Sequence, residues 1–264
     1  MNQPIVIIGI GELGGVFARA FLRQGHPVYP VTRGMNMTPL AETVADPFLV
    51  LVAVAEKDLP DVLKALPVQW RNKTGLLQNE LLPGHWERHH ITNPTVLSVW
   101  FEKKKGQKVN VLLPTRVQGP RSEFIADSLG QLGIPCKRLS DTDELLFELV
   151  LKNVFVFTIN IAGLVTGGTI DVLWSQHNAF TRQIAHEVID VQESLTGATF
   201  PRDRLIDGIP AGVNGDPNHK CRGRAAPGRL MRIIEQADKA NLMIPEIRKI
   251  EANWKQASQE KTDE

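Results

Sequence analysis

Three glycines near the start of the chain constrain its fold more than any other feature. They lie in Gly9-Ile10-Gly11-Glu12-Leu13-Gly14, between an apolar strand pattern and a helical pattern. In such a unit the first glycine allows a sharp turn, the second lets backbone approach a pyrophosphate, and the third lets helix and strand pack closely. The helix start then offers free N–H groups to the phosphates. This pattern predicts a dinucleotide site formed by Gly9, Gly11, Glu12, Leu13 and Gly14. The alternative is a glycine-rich turn that binds nothing.

The residue that follows the second predicted strand, Pro27–Thr32, is Arg33. Sites specific for NAD usually place an acidic residue here, where it binds the ribose hydroxyls. An arginine suits a 2′-phosphate instead, because guanidinium and phosphate form paired, charge-assisted hydrogen bonds. The sequence therefore favours NADP over NAD. The alternative is that Arg33 only solvates a loop, since proteins that bind NAD can also carry an arginine nearby.

The order of apolar runs predicts an α/β domain followed by a helical domain. In the first half, strand patterns alternate with helical patterns, and the run Phe48–Val54 contains no polar residue. A strand that is apolar on both faces is typical of a parallel sheet covered by helices, so we expect a Rossmann-type doubly wound parallel sheet. From Ser140 onward the patterns are helical, which predicts an all-α C-terminal domain. We place the two domains at residues 1–138 and 139–264.

The individual elements follow from the same periodicities. A long helix is predicted between Asp141, which forms a capping-box pattern with Glu144, and the glycine pair Gly167-Gly168. The predicted strands are Pro4–Gly9, Pro27–Thr32, Phe48–Val54, Gly75–Gln78, Val96–Phe101 and Val109–Leu113. The other predicted helices are Gly14–Gln24, Asp58–Ala65, Ala179–Leu195, Arg202–Ile209, Gly228–Ala240 and Pro245–Gln256.

The charge and cysteine content of the chain limit which binding partners are expected. Thirty basic and 29 acidic side chains leave a formal net charge of +1, so electrostatics give no reason to expect nucleic acid or an anionic membrane. The two cysteines, Cys136 and Cys221, have no CxxC spacing, which fits a reducing, cytoplasmic compartment. The pair His89-His90 has no accompanying ligand cluster, so no metal site is predicted.

Polar residues interrupt the apolar stretch Leu149–Val165, which indicates a buried helix rather than a membrane span. The expected partner is a small-molecule substrate, and a homodimer stays open.

The long predicted helix carries two polar residues that could do chemistry, Lys152 and Asn160. At about 100° per residue, two residues eight positions apart lie within about a quarter turn of each other. Both can therefore border one cleft. A lysine there can protonate the alkoxide that forms when hydride reaches a carbonyl, and an amide can orient the substrate. The alternative is that Lys152 extends to solvent while Asn160 satisfies a helix end.

With these motifs in place, the chain resembles the ketopantoate reductase family (2-dehydropantoate 2-reductases). The resemblance rests on the glycine loop, on Gln24-Gly25-His26-Pro27-Val28 with Arg33, and on the helix that carries Lys152 and Asn160. It implies reduction of a 2-oxo acid with NADPH, with Lys152 as general acid and Asn160 as a substrate-positioning residue. It also implies that Asn79 lies near the nicotinamide.

The sequence departs from the family pattern at several substrate-binding positions. Val156 stands where the family has an asparagine, and Ala226 stands where the family has a glutamate that contacts substrate. A lysine that is common after the third strand falls near Ala55, with Lys57 close by. These changes predict a reductase with an altered pocket that accepts a small 2-oxo acid or a related carbonyl. The alternative is an NADP(H)-binding sensor that acts without substrate turnover.

Overall fold

The computed structural model describes residues 2–260, so Met1 and the last four residues of the predicted helical domain lie outside the described residues. The chain divides into two compact units, the first ending at Leu149 and the second beginning at Val150. Each unit is described by itself below.

The first unit is built on a seven-stranded sheet. Its strands run in the order β2-β1-β3-β4-β5-β8-β9, and β1 to β5 pair in parallel. Strand β8 pairs antiparallel with β5 and parallel with β9, while β6 and β7 form a separate antiparallel pair. The strands are β1 Ile5–Ile8, β2 Val28–Val31, β3 Leu49–Val52, β4 Thr74–Leu76, β5 Thr95–Ser98, β6 Phe101–Glu102, β7 Asn110–Val111, β8 Thr115–Gln118 and β9 Cys136–Arg138.

Helices cover both faces of this sheet because its central strands are apolar on both faces. Every residue of β1 and β3 is buried. On one face, Phe17 and Phe21 of the first helix lie in the core, and on the other face Leu63 and Trp70 do so. The helices of this unit are α1 Glu12–Arg23, α2 Met37–Thr43, α3 Leu59–Ala65, α4 Gly84–Glu87 and α5 Ser122–Gly130.

The two units divide inside a long helix, α6 (Thr142–Thr166). The predicted cap forms at its start, where the Glu144 N–H donates to Asp141 Oδ1 at 2.8 Å. The first turns of α6 belong to the first unit, because Leu145 and Leu149 pack in the same core cluster as the sheet. The division therefore falls eleven residues after the boundary placed at 138–139, because the first turns of α6 pack on the core of the sheet and so belong to the first unit.

The second unit is helical. It contains the rest of α6 and the helices α7 Ile170–Gln176, α8 Asn178–Thr196, α9 Arg202–Gly215, α10 Ala226–Lys239 and α11 Pro245–Glu260. The prediction of a mostly parallel Rossmann-type sheet followed by a helical region is thus confirmed.

Helix α6 is long and apolar enough to cross a membrane by length and composition. However, 61% of its most apolar 18-residue window is buried inside the protein. Asn153, which interrupts the apolar run, is also buried and donates to Gln192 Oε1 on α8 at 2.9 Å. This arrangement favours a core helix, whose polar groups are satisfied by neighbouring helices.

A buried carboxylate joins α8 to α11. Glu187 accepts the backbone N–H groups of Glu246 and Ile247 at 2.8 and 2.9 Å, one on each carboxylate oxygen. Burial raises the pKa of Glu187, and these two donors oppose that shift. The carboxylate satisfies two of the N–H groups that the first turn of a helix leaves without an intrahelical partner.

Glu187→Gln is expected to lower the free energy of unfolding by about 1–3 kcal/mol, because the new amide turns an N–H donor toward a backbone N–H and leaves it unsatisfied. Urea denaturation followed by circular dichroism measures the change. Glu235→Gln is the matched control, since Glu235 pairs with Lys239 on the exposed surface of α10, and its loss should cost less than about 0.5 kcal/mol. Equal losses for both variants would show that Glu187 does not join the helices.

Candidate active site

The glycine loop has the geometry that a dinucleotide site needs. Gly9 has φ +94°, and a Cβ there would lie 2.8 Å from the carbonyl oxygen of Ala53. A Cβ on Gly14 would lie 2.1 Å from the carbonyl oxygen of Gly9. Gly11 differs from both, because nothing lies within 4 Å of the place its Cβ would take. Two glycines therefore make the turn and the packing, while the third leaves open space over the loop.

The N-terminus of α1 opens directly onto this loop. Gly11 is its N-cap, and no side chain among the described residues caps it. The Glu12 side chain instead forms an ion pair with Lys103 at 3.0 Å. Glu12 and Leu13 can thus contribute to a cofactor site through their backbone N–H groups, which the helix leaves without acceptors in its first turn.

A cavity of about 570 Å³ extends from the glycine loop to the end of β2. Arg33 lies at its rim with a side chain that is 88% exposed, and it pairs with Asp58 Oδ2 at 3.2 Å. Val54 and Val62 add apolar lining. The cavity therefore combines apolar walls with one guanidinium, but a carboxylate lies beside that guanidinium.

Asn79 follows β4 and lies at the edge of the sheet where the carboxyl ends of β1, β3 and β4 meet. Its Nδ2 donates to Glu56 Oε1 at 3.0 Å. The preceding Gln78 is buried, and its Nε2 donates to the carbonyl oxygen of Val52 at 2.8 Å. Gln78 thus holds the ends of β3 and β4 together and fixes the turn that carries Asn79.

In the second unit, α6 presents a narrow accessible stripe. Between residues 152 and 163, only Lys152, Val156 and Asn160 are half-buried, and all others are buried. The spacing of four residues places these three side chains on one face of the helix. The helix interpretation thus brings Lys152 and Asn160 to a shared accessible face, and Val156 lies between them.

The amide of Asn160 contacts a buried arginine. Arg229 on α10 is 8% exposed, and its NH1 donates to Asn160 Oδ1 at 2.7 Å. Ala226, one turn earlier on α10, is fully buried. The position at which the family has a glutamate is therefore part of the core here.

One of these residues, Asp58, was not singled out from the sequence. Asp58 has no pattern that distinguishes it from other surface carboxylates, and only the ion pair with Arg33 reveals it. Arg229 belongs to a cluster of basic residues between His219 and Arg232, and only the structure shows that it is buried.

Comparison with known proteins agrees with this geometry at the level of the fold. No protein-family model and no curated protein matches the sequence. Among solved structures, a 2-dehydropantoate 2-reductase from Methylococcus capsulatus aligns with a TM-score of 0.71 at 14% identity and covers 97% of both chains. A ketopantoate reductase from Ralstonia eutropha aligns with a TM-score of 0.68 at 15% identity, over 98% of this chain and 100% of that one.

A D-mandelate dehydrogenase solved in complex with NADH also aligns, with a TM-score of 0.67 at 12% identity over 95% of this chain and 97% of that one. These alignments span the parallel sheet, the long helix and the helical region that follows. The resemblance seen in the sequence is therefore confirmed for the architecture: the chain has the fold of the ketopantoate reductases.

Proposed function

We propose that this protein is an NADPH-dependent reductase of a small 2-oxo acid or a related carbonyl, with a substrate pocket that differs from that of ketopantoate reductases. The observation that carries the proposal is the accessible stripe of α6, which exposes Lys152 and Asn160 on one face of an otherwise buried segment. The solved ketopantoate reductases and the D-mandelate dehydrogenase support an oxidoreductase with a nicotinamide cofactor.

The residues of the first unit fit a dinucleotide. Gly11 leaves the space that a pyrophosphate requires, and the N–H groups of Glu12 and Leu13 would hold its charge. Arg33 would bind the 2′-phosphate, and Asn79 would lie near the nicotinamide. NADPH supplies a hydride when it is bound.

The residues of the second unit would handle the substrate. Lys152 would donate a proton from Nζ to the carbonyl oxygen as that oxygen becomes an alkoxide. Asn160 would hold the substrate through its amide. Val156 offers no polar contact between them, so the middle of the pocket would accept apolar substituents rather than a hydroxyl group.

A second candidate is a sensor that binds NADP(H) without turnover. The buried Ala226 and the apolar Val156 favour it, because both remove polar groups that could hold a substrate. Screening 2-oxo acids for NADPH oxidation separates the two candidates. Turnover of any of them supports the reductase. NADPH binding that is followed neither by turnover nor by ordered binding of a second ligand supports the sensor.

We also propose a cytoplasmic enzyme that acts on a small molecule, either alone or as a homodimer. Both cysteines are free, which supports a reducing compartment. Sedimentation of the purified chain decides between monomer and dimer.

Arg33→Ala is expected to raise the Kd for NADPH by about 10- to 100-fold and to leave the Kd for NADH nearly unchanged, because only NADPH carries the 2′-phosphate. Asp58→Asn is the matched variant: it removes the carboxylate that pairs with Arg33, so NADPH should bind severalfold more tightly. Fluorescence titration with both cofactors measures these effects. Tighter binding of NADH than of NADPH by the unmodified protein would refute the preference for NADP.

A further inference from the structure

A second cavity, of about 890 Å³, lies along the first helix and wholly within the first unit. It is lined by α1, by the loop between β6 and β7, and by the segment between α5 and β9. We propose that it binds an organic diphosphate, a small molecule in which two linked phosphates are attached to an aliphatic body. This site is independent of the reductase function, because it involves neither Arg33 nor any residue of α6.

The charge of this cavity is strongly positive, although the chain as a whole has a formal net charge of only +1. The one carboxylate among the described residues that line it is Glu12, and Lys103 already pairs with Glu12 at 3.0 Å. Three further cations line the cavity: Arg19, Arg23 and Lys108. A wall in which cations outnumber carboxylates in this way attracts a ligand with several negative charges.

The two arginines of α1 lie one turn apart on the helix face that borders the cavity. Arg19 and Arg23 are four positions apart, so their Cα atoms are separated by about 6 Å along the helix axis. Like charges at this spacing repel each other and destabilise a helix. Arg23 NH1 donates to the carbonyl oxygen of Gln131 at 3.0 Å, whereas Arg19 has no ion-pair or hydrogen-bond partner among the described residues. Two linked phosphates would relieve this repulsion, because they offer acceptors to both guanidinium groups.

The buried part of the cavity wall is aliphatic. Val16 and Ile134 are buried, whereas Arg19 and Lys108 are exposed. Gly15 leaves open space beside them, because nothing lies within 4 Å of the place its Cβ would take. No aromatic ring among the described residues lines the cavity, so a nucleobase would find nothing to stack on. An aliphatic body would instead cover the apolar side chains of the wall, which are Ile10, Val16, Val109, Leu132 and Ile134.

The probe for this site is geranyl diphosphate, which joins an aliphatic chain to a diphosphate and contains no nucleoside. Isothermal titration calorimetry should give it a Kd about 10-fold lower than that of inorganic pyrophosphate, which has no apolar surface to bury. ADP carries the same diphosphate on a nucleoside and should also bind about 10-fold more weakly than geranyl diphosphate. Equal affinity for the three compounds would overturn the aliphatic body, and no binding of geranyl diphosphate would overturn the site.

Variants at the cavity wall locate the bound diphosphate. Arg19→Gln and Lys108→Gln should each raise the Kd for geranyl diphosphate about 10-fold, because each removes a charge-assisted hydrogen bond. Lys105→Gln is the matched control, since it removes the same charge from the same loop at a position that does not line the cavity. It should change the Kd by less than about 2-fold, as expected for an exposed charge. Equal losses in Lys105→Gln and Lys108→Gln would indicate attraction to the loop as a whole, and a loss in Arg33→Ala alone would indicate binding in the dinucleotide cavity. Either result overturns the proposal.

Discussion

Replacing Lys152 with alanine is expected to lower kcat by about 100- to 10,000-fold, the range that a positioned general acid contributes. Lys152 is half-buried and lies on the same face of α6 as the half-buried Asn160. Without its ammonium group, the alkoxide that forms on hydride transfer has to take its proton from water. Affinity for NADPH should change little, since the glycine loop and Arg33 belong to the first unit.

Steady-state NADPH oxidation and cofactor fluorescence measure these two effects separately. Lys152→Arg distinguishes proton donation from charge alone, because arginine keeps the charge but does not release its proton in proteins. This variant should remain nearly as inactive as the alanine variant. Lys239→Ala removes an exposed lysine of α10 and should leave kcat unchanged. Full activity of Lys152→Ala on the true substrate would exclude Lys152 as the acid.

The second large effect is expected at Gly14. Its added methyl group in Gly14→Ala would lie 2.1 Å from the carbonyl oxygen of Gly9, which is part of the backbone and can move only if the loop moves. Overpacking of this kind costs about 3 kcal/mol of stability. The displaced loop also carries Gly11, which approaches the pyrophosphate in the proposed site, so NADPH affinity should fall by about 100-fold, equivalent to about 3 kcal/mol of binding free energy.

Gly15→Ala is the matched control for this variant. Gly15 is the next residue of α1, and nothing lies within 4 Å of the place its Cβ would take. Alanine is the better helix former, so this variant should gain about 0.5–1 kcal/mol of stability and bind NADPH normally. Thermal denaturation and NADPH titration of both variants measure the contrast. Similar behaviour of the two would show that the close packing at Gly14 does not matter.

The elements predicted correctly are those with strong local patterns. Strand β3 is apolar along its whole length, and α6 carries a capping signal at one end and a glycine pair at the other. The elements not predicted are short or lack periodicity. Strand β8, with the sequence TRVQ, alternates buried and half-buried residues over only four positions. Helices α2 and α7 each span seven residues, too few for a clear helical period.

Strand β8 also pairs antiparallel with β5, which the alternation of strands and helices does not indicate. The antiparallel direction of a strand that joins a parallel sheet is set by tertiary packing rather than by local sequence. The same holds for the division of the chain inside α6. Leu145 and Leu149 lie on the sheet core, although the periodicity of the helix continues without interruption into the second unit.

The sequence by itself determined the glycine loop, the parallel sheet with its helical continuation, and the common face of Lys152 and Asn160. These features depend on backbone freedom and periodicity, which act between residues close in the chain. Only the tertiary structure decided which partners the charged residues take. Arg33 meets Asp58 across 25 positions, and Arg229 meets Asn160 across 69. Such contacts arise from how segments distant in the chain pack together, and the spacing of residues along the chain does not predict them.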